Sequence, residues 1–238
     1  MIILRGCSGF GDACYLYPVA RELCKQDKMI IHSNFPEFYE KLRKIQPYIT
    51  IQPYIKGKPV THECSYVPER PVPHTSTFQD TLKAAGLPDN TLYSFDIELP
   101  IKRTGIILVS LPYKPTWCLD PDNFVPDLQV FKGIGRKLEE NGFRIAWHHG
   151  TYRSLNQWIN LMSLCDYVIT QSSHVLCLSE LLGKKTCVIF NGNYKNSKQQ
   201  FVTYITPTKV ICRPDLTISA MDNEGVDTIC NKITSHLR

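Results

Sequence analysis

The chain opens with Ile2-Ile3-Leu4-Arg5-Gly6-Cys7-Ser8-Gly9-Phe10-Gly11-Asp12, an apolar run followed by glycines and an acid. This order predicts a buried strand, a tight turn and a helix that opens at Asp12. A second stretch, Ile169-Thr170-Gln171-Ser172-Ser173-His174, repeats the strand-to-helix order far down the chain. We expect the two turns to face each other across a cleft. One turn presents a carboxylate, and the other presents a helix N-terminus suited to phosphate.

The first half of the chain alternates predicted strands and helices. Strands are predicted at 2–5, 29–31 and 49–51, and helices at 12–26, 36–45 and 77–85, the last of them closed by Gly86. Residues 53–73 are rich in Pro, Gly and Lys, which indicates a long loop, and residues 100–103 are a candidate hinge. The β-α-β-α-β order is typical of a Rossmann-like sheet.

The pattern restarts at Gly105. Strands are predicted at 106–111, 143–147, 167–170, 186–190 and 209–212, and helices at 122–141, 154–164, 173–182 and 223–236. Glycines at 142 and 183 are expected to close two of these helices. We therefore predict an α/β protein of two Rossmann-like domains, residues 1–103 and 104–238.

Length, composition and charge indicate a globular protein without a membrane-spanning segment, disulfides or a zinc site. At 238 residues and 27.3 kDa the chain can bury a core, and no apolar run approaches the roughly 20 residues that cross a bilayer. Glycines follow the first apolar segment where a signal peptide would continue, so we expect a cytoplasmic protein. The ten cysteines include no CxxC pair, which favours reduced, buried thiols over disulfides or zinc. The net charge of +5 is compatible with an anionic ligand, with nucleic acid or with an ordinary solvated surface.

The glycine turn does not match the common nucleotide loops. Its order is Gly6-x-x-Gly9-x-Gly11, whereas a dinucleotide site needs G-x-G-x-x-G. The second strand ends in His32-Ser33-Asn34, without the acid that binds ribose hydroxyls. No glycine precedes Lys and Ser or Thr in the frame of a P-loop. A dinucleotide site and a P-loop are therefore excluded.

Polar residues stand where the predicted strand at 167–170 gives way to a helix. The hydroxyls of Ser172 and Ser173, with the N–H groups of the first helical turn, suit a diphosphate, and His174 adds a third polar group. The alternative is that the serines only cap the helix, as serine often does.

Both turns carry a family resemblance. Gly9-Phe10-Gly11-Asp12 with Pro18 in the following helix, and residues 165–184 (CDYVITQSSHVLCLSELLGK), resemble glycosyltransferase family 9, the heptosyltransferase-like group. That family has a G-x-G-D turn at the first position and an N-D-S-G turn before a helix ending in L-G at the second. The chain departs from this pattern at Ser172, where the family has Asp, and at Cys177, where it has His.

The resemblance implies a compact GT-B fold, in which the two domains face each other across a cleft. It also implies that Asp12 is the base that takes a proton from the acceptor hydroxyl, with Gly9, Phe10 and Gly11 as the acceptor-side loop. The alternative for Asp12 is a helix N-cap, and the two roles are compatible.

Further donor-binding residues come from the resemblance and from position in the fold. Lys114, in a Lys-x-x-Trp order close to the family's Lys-x-Trp, is expected to neutralise the leaving phosphate, the alternative being a lysine of a surface loop. Glu180 is expected to bond the donor ribose by analogy with GT-B enzymes, the alternative being a solvent-facing or salt-bridged residue. His149 ends a predicted strand, where open α/β sheets bind ligands, the alternative being a structural histidine.

These observations predict an inverting glycosyltransferase that uses a nucleotide-sugar donor and needs no metal or other cofactor. Asp120-Pro121-Asp122 resembles a metal-binding D-x-D only superficially and is expected to cap a helix. The acceptor is a saccharide or a modified base in DNA. The alternative is a non-catalytic nucleotide- or sugar-binding module that retains the fold, which the departures at Ser172 and Cys177 favour.

Overall fold

The structure, a computed structural model, describes residues 1–6, 8–64, 77–96, 99, 104–113, 125–149, 154–171, 173–190, 193–195, 201–203, 217–221 and 223–238. These residues form two parallel sheets, a short antiparallel strand pair and the helices that cover the sheets. The α/β class predicted from the sequence is confirmed. The candidate hinge at 100–103 lies outside the described residues.

The first sheet is built from β1 (Ile2–Arg5), β2 (Met29–His32), β3 (Ile49–Gln52) and β4 (His62–Glu63). Its order is β3-β2-β1-β4 and all pairs are parallel, with Ile2 beside Met29 and Leu4 beside His62. Helix α1 (Phe10–Leu23) follows β1, and α2 (Thr77–Ala84) ends before Gly86 as predicted.

The prediction of an α-helix at 36–45 is wrong. The segment forms two 3₁₀ turns, Pro36–Phe38 and Glu40–Lys44, joined at Tyr39. The tighter winding brings Phe38, Tyr39 and Leu42 into the core, where all three are fully buried. Burial of these side chains therefore overrides the helical propensity of the segment.

The loop predicted at 53–73 contains a strand, β4, which the sequence did not predict. A buried cation, Arg5, holds this segment: its guanidinium pairs with Glu63 and donates to the carbonyls of Ile55 and Lys58, each at 2.7 Å. Two residues of strand give no periodicity, so only the ladder with β1 reveals β4. Residues 65–73 lie outside the described part of the chain.

The second sheet is built from β5 (Ile106–Ser110), β6 (Arg144–His148), β7 (Tyr167–Gln171), β8 (Lys185–Phe190) and β11 (Thr217–Met221), while β9 (Asn193–Lys195) and β10 (Phe201–Thr203) pair separately. Its order is β11-β8-β7-β5-β6, all parallel. Strand β11 was not predicted, and the predicted strand at 209–212 lies outside the described residues.

Among the described residues, four helices accompany the second sheet: α3 (Leu128–Glu140), α4 (Leu155–Ser163), α5 (His174–Leu181) and α6 (Val226–Leu237). Ser154 caps α4 and Asp127 caps α3, so the described start of α3 lies later than the predicted residue 122. Gly142 and Gly183 follow their helices at φ 87° and 69°, as a left-handed helix end requires.

One core extends from the first sheet to the inner face of the second. It includes apolar side chains of β1, β2, α1 and α2 together with those of α4 and α5. A separate core lies on the outer face of the second sheet, beneath α3 and α6. The seven cysteines among the described residues are buried free thiols, as predicted. In the described ranges no helix is long and apolar enough to span a membrane.

Residues 92–96, which we call the strap, connect α1 to α5. On one side the buried Arg21 of α1 donates to both carboxylate oxygens of Asp96 at 2.8 Å and to the Leu92 carbonyl at 2.8 Å. A further bond reaches the Ser94 carbonyl at 3.0 Å. This cation therefore satisfies the polar groups of a segment that has no ladder of its own.

The other side of the strap is bonded to α5. The hydroxyl of Tyr93 donates to the Cys177 carbonyl at 3.0 Å, and the Phe95 N–H donates to the Leu181 carbonyl at 3.1 Å. The bond from Phe95 uses a carbonyl at the helix end, where carbonyls lack partners within the helix. The strap thus joins the two helices through hydrogen bonds on both flanks.

Candidate functional site

The N-termini of α1 and α5 meet. The ring centroids of Phe10 and His174 lie 5.5 Å apart, and a Cβ built on Gly11 lies 3.4 Å from the His174 Cα. One turn further on, the Tyr15 hydroxyl lies 2.9 Å from the Cys177 sulfur. The two predicted turns therefore adjoin each other, and the helices that follow them pack side by side in the same direction.

Gly11 lies at this contact. Its Cβ position is also 3.5 Å from the Cys177 sulfur, an ordinary contact distance, so an added methyl group would touch α5 without displacing it. The acceptor-side residue Phe10 is buried, and its ring packs edge-on against Phe38 at 4.9 Å. Phe10 is thus part of the core that supports the turn.

Asp12 is the third residue of α1, and Gly9 is the N-cap. The Asp12 carboxylate accepts a hydrogen bond from the Gly9 N–H at 3.0 Å, so Asp12 closes a capping box rather than standing at the N-cap itself. The helix begins two residues earlier than predicted. Burial raises the pKa of Asp12 to about 6, against a smaller lowering by the Gly9 N–H. A carboxyl with this pKa is ionised at neutral pH and basic enough to take a proton.

Replacing Gly9 by Ala is expected to disturb Asp12. The added Cβ would lie 2.7 Å from an Asp12 carboxylate oxygen, so the carboxylate must move and the capping bond weakens. We expect a loss of about 1 kcal/mol in the free energy of unfolding, measured by urea denaturation. Gly225→Ala is the control because Gly225 is also a helix N-cap and its Cβ meets nothing closer than 3.9 Å. Equal losses in the two variants would contradict the steric account.

The second turn is closed by Ser173. Its hydroxyl accepts from the Val175 N–H at 3.2 Å and lies 3.3 Å from the Thr170 hydroxyl, so Ser173 is the N-cap of α5. Ser172 and Lys114, two of the predicted phosphate ligands, lie outside the described residues. A phosphate site at this turn stays a prediction.

His174 is held inside the contact between the two helices. Its Nδ1 lies 3.2 Å from the Tyr113 hydroxyl, and its ring packs edge-on against Trp158 at 5.6 Å. Burial, together with the nearby His148, lowers the pKa of His174 to about 4, while burial raises that of Tyr113 to about 12. Both side chains are therefore uncharged at neutral pH.

The second sheet has its topological switch point between β5 and β7. From β5 the chain passes to β6 on one side and then to β7 on the other, so the connections leave the carboxyl ends in opposite directions. Ligands of open α/β sheets bind at such a crevice. Tyr113 follows β5 here, and Gln171 ends β7.

Gln171 and Tyr113 are bonded across this crevice. The Gln171 side-chain amide donates to the Tyr113 carbonyl at 3.0 Å and accepts from the Tyr113 N–H at 3.3 Å. Sequence reasoning missed both residues as parts of the site. The signal that the sequence offered for Gln171 was a polar amide directly after the predicted strand at 167–170.

The remaining predicted residues lie apart from the meeting point. His149 is exposed just after β6, whereas its neighbour His148 is buried, with Nδ1 3.2 Å from the Ser110 hydroxyl. Glu180 is fully buried in the last turn of α5, so the solvent-facing alternative for it is wrong. The described residues contain no group of three His, Cys, Asp or Glu side chains that could hold a metal ion.

Comparison with protein-family models and with curated proteins finds no match to this sequence. Solved structures do match in fold. The iron-containing dodecameric glycosyltransferase TibC of enterotoxigenic Escherichia coli gives a TM-score of 0.55 at 12% identity, over 85% of this chain and 60% of TibC. The chain thus spans less than two thirds of the length of TibC.

Two further Escherichia coli enzymes give similar values. The ADP-heptose lipopolysaccharide heptosyltransferase II matches at TM-score 0.61 and 10% identity, over 100% of this chain and 98% of that enzyme. Heptosyltransferase WaaC, solved with ADP-2-deoxy-2-fluoro heptose, matches at 0.57 and 10%, over 99% of each chain. The fold expected from the resemblance, a compact form of the GT-B architecture, is therefore confirmed.

Proposed function

We propose that the protein is an inverting, metal-independent glycosyltransferase that moves a sugar from a nucleotide-sugar donor to an acceptor hydroxyl. The observation that carries this proposal is the position of Asp12. Its carboxyl, with a pKa of about 6, lies where the N-termini of α1 and α5 meet, in a fold shared with heptosyltransferases.

In the proposed step the acceptor oxygen attacks the anomeric carbon from the face opposite the leaving group. Asp12 takes the proton of the acceptor hydroxyl as the new C–O bond forms. The bond from the anomeric carbon to the diphosphate oxygen breaks, and its electron pair leaves with the nucleoside diphosphate. Attack and departure on opposite faces invert the configuration of the sugar.

The donor is proposed to bind at the crevice between β5 and β7. Ser172, Ser173 and the first N–H groups of α5 are proposed to bind the diphosphate, because a helix N-terminus favours negative charge. His174 contributes its backbone here, since its ring packs against Phe10 and Trp158. The remaining proposed donor contacts are those of Lys114, His149 and Glu180.

The acceptor is proposed to approach from the side of Gly9 and Gly11. Two acceptor classes fit the chemistry, a saccharide hydroxyl and the hydroxyl of a modified base in DNA. Retention on a DNA column that falls steeply with salt supports DNA, and retention independent of salt supports a saccharide.

A donor screen tests the proposal directly. Binding of the correct nucleotide raises the melting temperature by mass action, and ADP-, UDP-, GDP- and CDP-sugars are compared in the same assay. Release of nucleoside diphosphate with the best donor then reports hydrolysis or transfer. The absence of both binding and release across a broad donor panel would sink the proposal.

Metal independence is a separate prediction. We propose that transfer rests on Asp12 and the helix N-termini without a bound metal ion. Incubation with EDTA followed by gel filtration should leave the initial rate within twofold of the untreated protein. Loss of activity that returns with Mg²⁺ or Mn²⁺ would contradict it.

A second candidate is a binding module without catalysis. The contact of Phe10 with His174 occupies space between the two helix N-termini, and Tyr15 contacts Cys177 one turn further on, which favours this alternative. Nucleotide-dependent stabilisation with no turnover of any donor would support it, whereas turnover excludes it.

A further inference from the structure

Tyr113 is held at both ends by residues of the second turn. Its backbone N–H and carbonyl bond the Gln171 side-chain amide at 3.3 and 3.0 Å, and its hydroxyl lies 3.2 Å from Nδ1 of His174. Gln171 is only 2% exposed. These contacts join the segment after β5 to the start of α5.

The Gln171 side-chain amide bonds Tyr113 just beyond the point where the backbone pairing of β5 with β7 ends. Strands β5 and β7 pair as far as Val109 and Ile169, whereas on its other edge β7 pairs with β8 from Tyr167 through Gln171. A side-chain amide carries the same donor and acceptor as a peptide group, so it can bond an extended residue as a neighbouring strand would. Gln171 thereby bridges the gap at the point where the two strands diverge.

We propose that Gln171 is a positioning residue for donor binding, acting through Tyr113. The inference rests on the proposed function, because it assumes that the donor diphosphate lies at this crevice. Tyr113 ends the described segment that follows β5, and its hydroxyl contacts His174, the first residue of α5. Fixing Tyr113 therefore holds the carboxyl end of β5 against the helix N-terminus that is proposed to bind the diphosphate.

The chain offers matched variants. Gln171→Met keeps an unbranched side chain of similar length but removes both bonds to Tyr113. Thr186→Val is the control: it removes a buried hydroxyl that bonds Ser179 at 3.1 Å, near the amino end of β8 and thus at the opposite edge of the sheet. Both variants lose buried hydrogen bonds, and only one of them adjoins the proposed donor site.

The test compares KM and kcat for the donor that the screen identifies. Gln171→Met is expected to raise the donor KM at least tenfold with kcat within threefold, while Thr186→Val changes neither by more than twofold. Amide exchange at Tyr113, measured by NMR, is expected to accelerate only in Gln171→Met. Equal donor KM values in the two variants would overturn the positioning role. Absence of donor binding by the wild-type protein would instead overturn the proposed function.

Discussion

Replacing Asp12 by Asn is expected to slow sugar transfer by at least about 100-fold with the fold intact, since a positioned general base contributes about 10²–10⁴ in rate. Asn retains an oxygen that can accept the Gly9 N–H bond, so the capping box persists while the base is lost. The measurement is the steady-state rate of nucleoside diphosphate release with saturating donor and acceptor. Asp127→Asn is the control, because Asp127 caps α3 on the far face of the second sheet.

The pH dependence follows from the raised pKa of Asp12. The basic form is the carboxylate, so transfer by the wild-type protein should fall about tenfold per pH unit below a pKa of about 6 and stay level above it. The residual activity of the Asn variant should lack this limb. A variant rate within twofold of wild type would exclude Asp12 as the base.

The contribution of Asp12 to the free energy of unfolding should depend on pH in the opposite sense to the activity. Burial raises the Asp12 pKa from 3.8 to about 6, so the folded state favours the protonated acid. The stability contributed by that form is present below the unfolded pKa and is lost as pH rises through about 6. Asn remains neutral, so at pH 8 the variant should melt at or above the wild-type temperature. The pairing of lost activity with retained or increased stability separates a catalytic residue from a merely structural cap.

Arg21→Met is expected to cost about 3 kcal/mol in the free energy of unfolding, the second large effect. Arg21 is 6% exposed, and its guanidinium bonds the Asp96 carboxylate and the carbonyls of Leu92 and Ser94. Met fills much of the space but leaves those carbonyls without this donor, and bonds to charged groups contribute about 1.5–3 kcal/mol. Urea denaturation followed by circular dichroism gives the value.

The matched control is Arg43→Met, whose guanidinium forms an exposed ion pair with Glu40 and is expected to contribute less than about 1 kcal/mol. Exchange of the Phe95 amide hydrogen with solvent should also accelerate in Arg21→Met. Phe95 belongs to the strap that Arg21 holds, and its N–H donates to the Leu181 carbonyl. If the two arginine variants lose equal stability, the strap does not anchor the helices.

Much of the fold follows from sequence pattern. The apolar runs of β1, β5 and β7 and the glycines that close α2, α3 and α5 mark elements whose signals are local, and these predictions agree with the structure within a few residues. The predictions fail where a contact between residues far apart in the sequence determines the secondary structure. Strand β4 exists through its ladder with β1, and the 3₁₀ turns at 36–44 follow from burial of Phe38 and Leu42.

The site was predictable in part for the same reason. A glycine turn and an acid after β1 are visible in sequence, but the burial that raises the Asp12 pKa arises only when the chain packs. Gln171 and Tyr113 are 58 residues apart in the sequence, and nothing in either residue type indicates that the two would be hydrogen-bonded. Lys114 and Ser172 lie outside the described residues, so their roles stay predictions.

The contact of Gly11 and Tyr15 with His174 and Cys177 affects how new specificity can be engineered into this chain. Exchanging one half of this chain for that of another protein with the same fold assumes that the halves are independent modules. Here α1 and α5 share one core, and the ideal Cβ of Gly11 lies 3.4 Å from the His174 backbone. A grafted second half must therefore bring a helix whose surface fits α1, or the graft must include α1 and the strap.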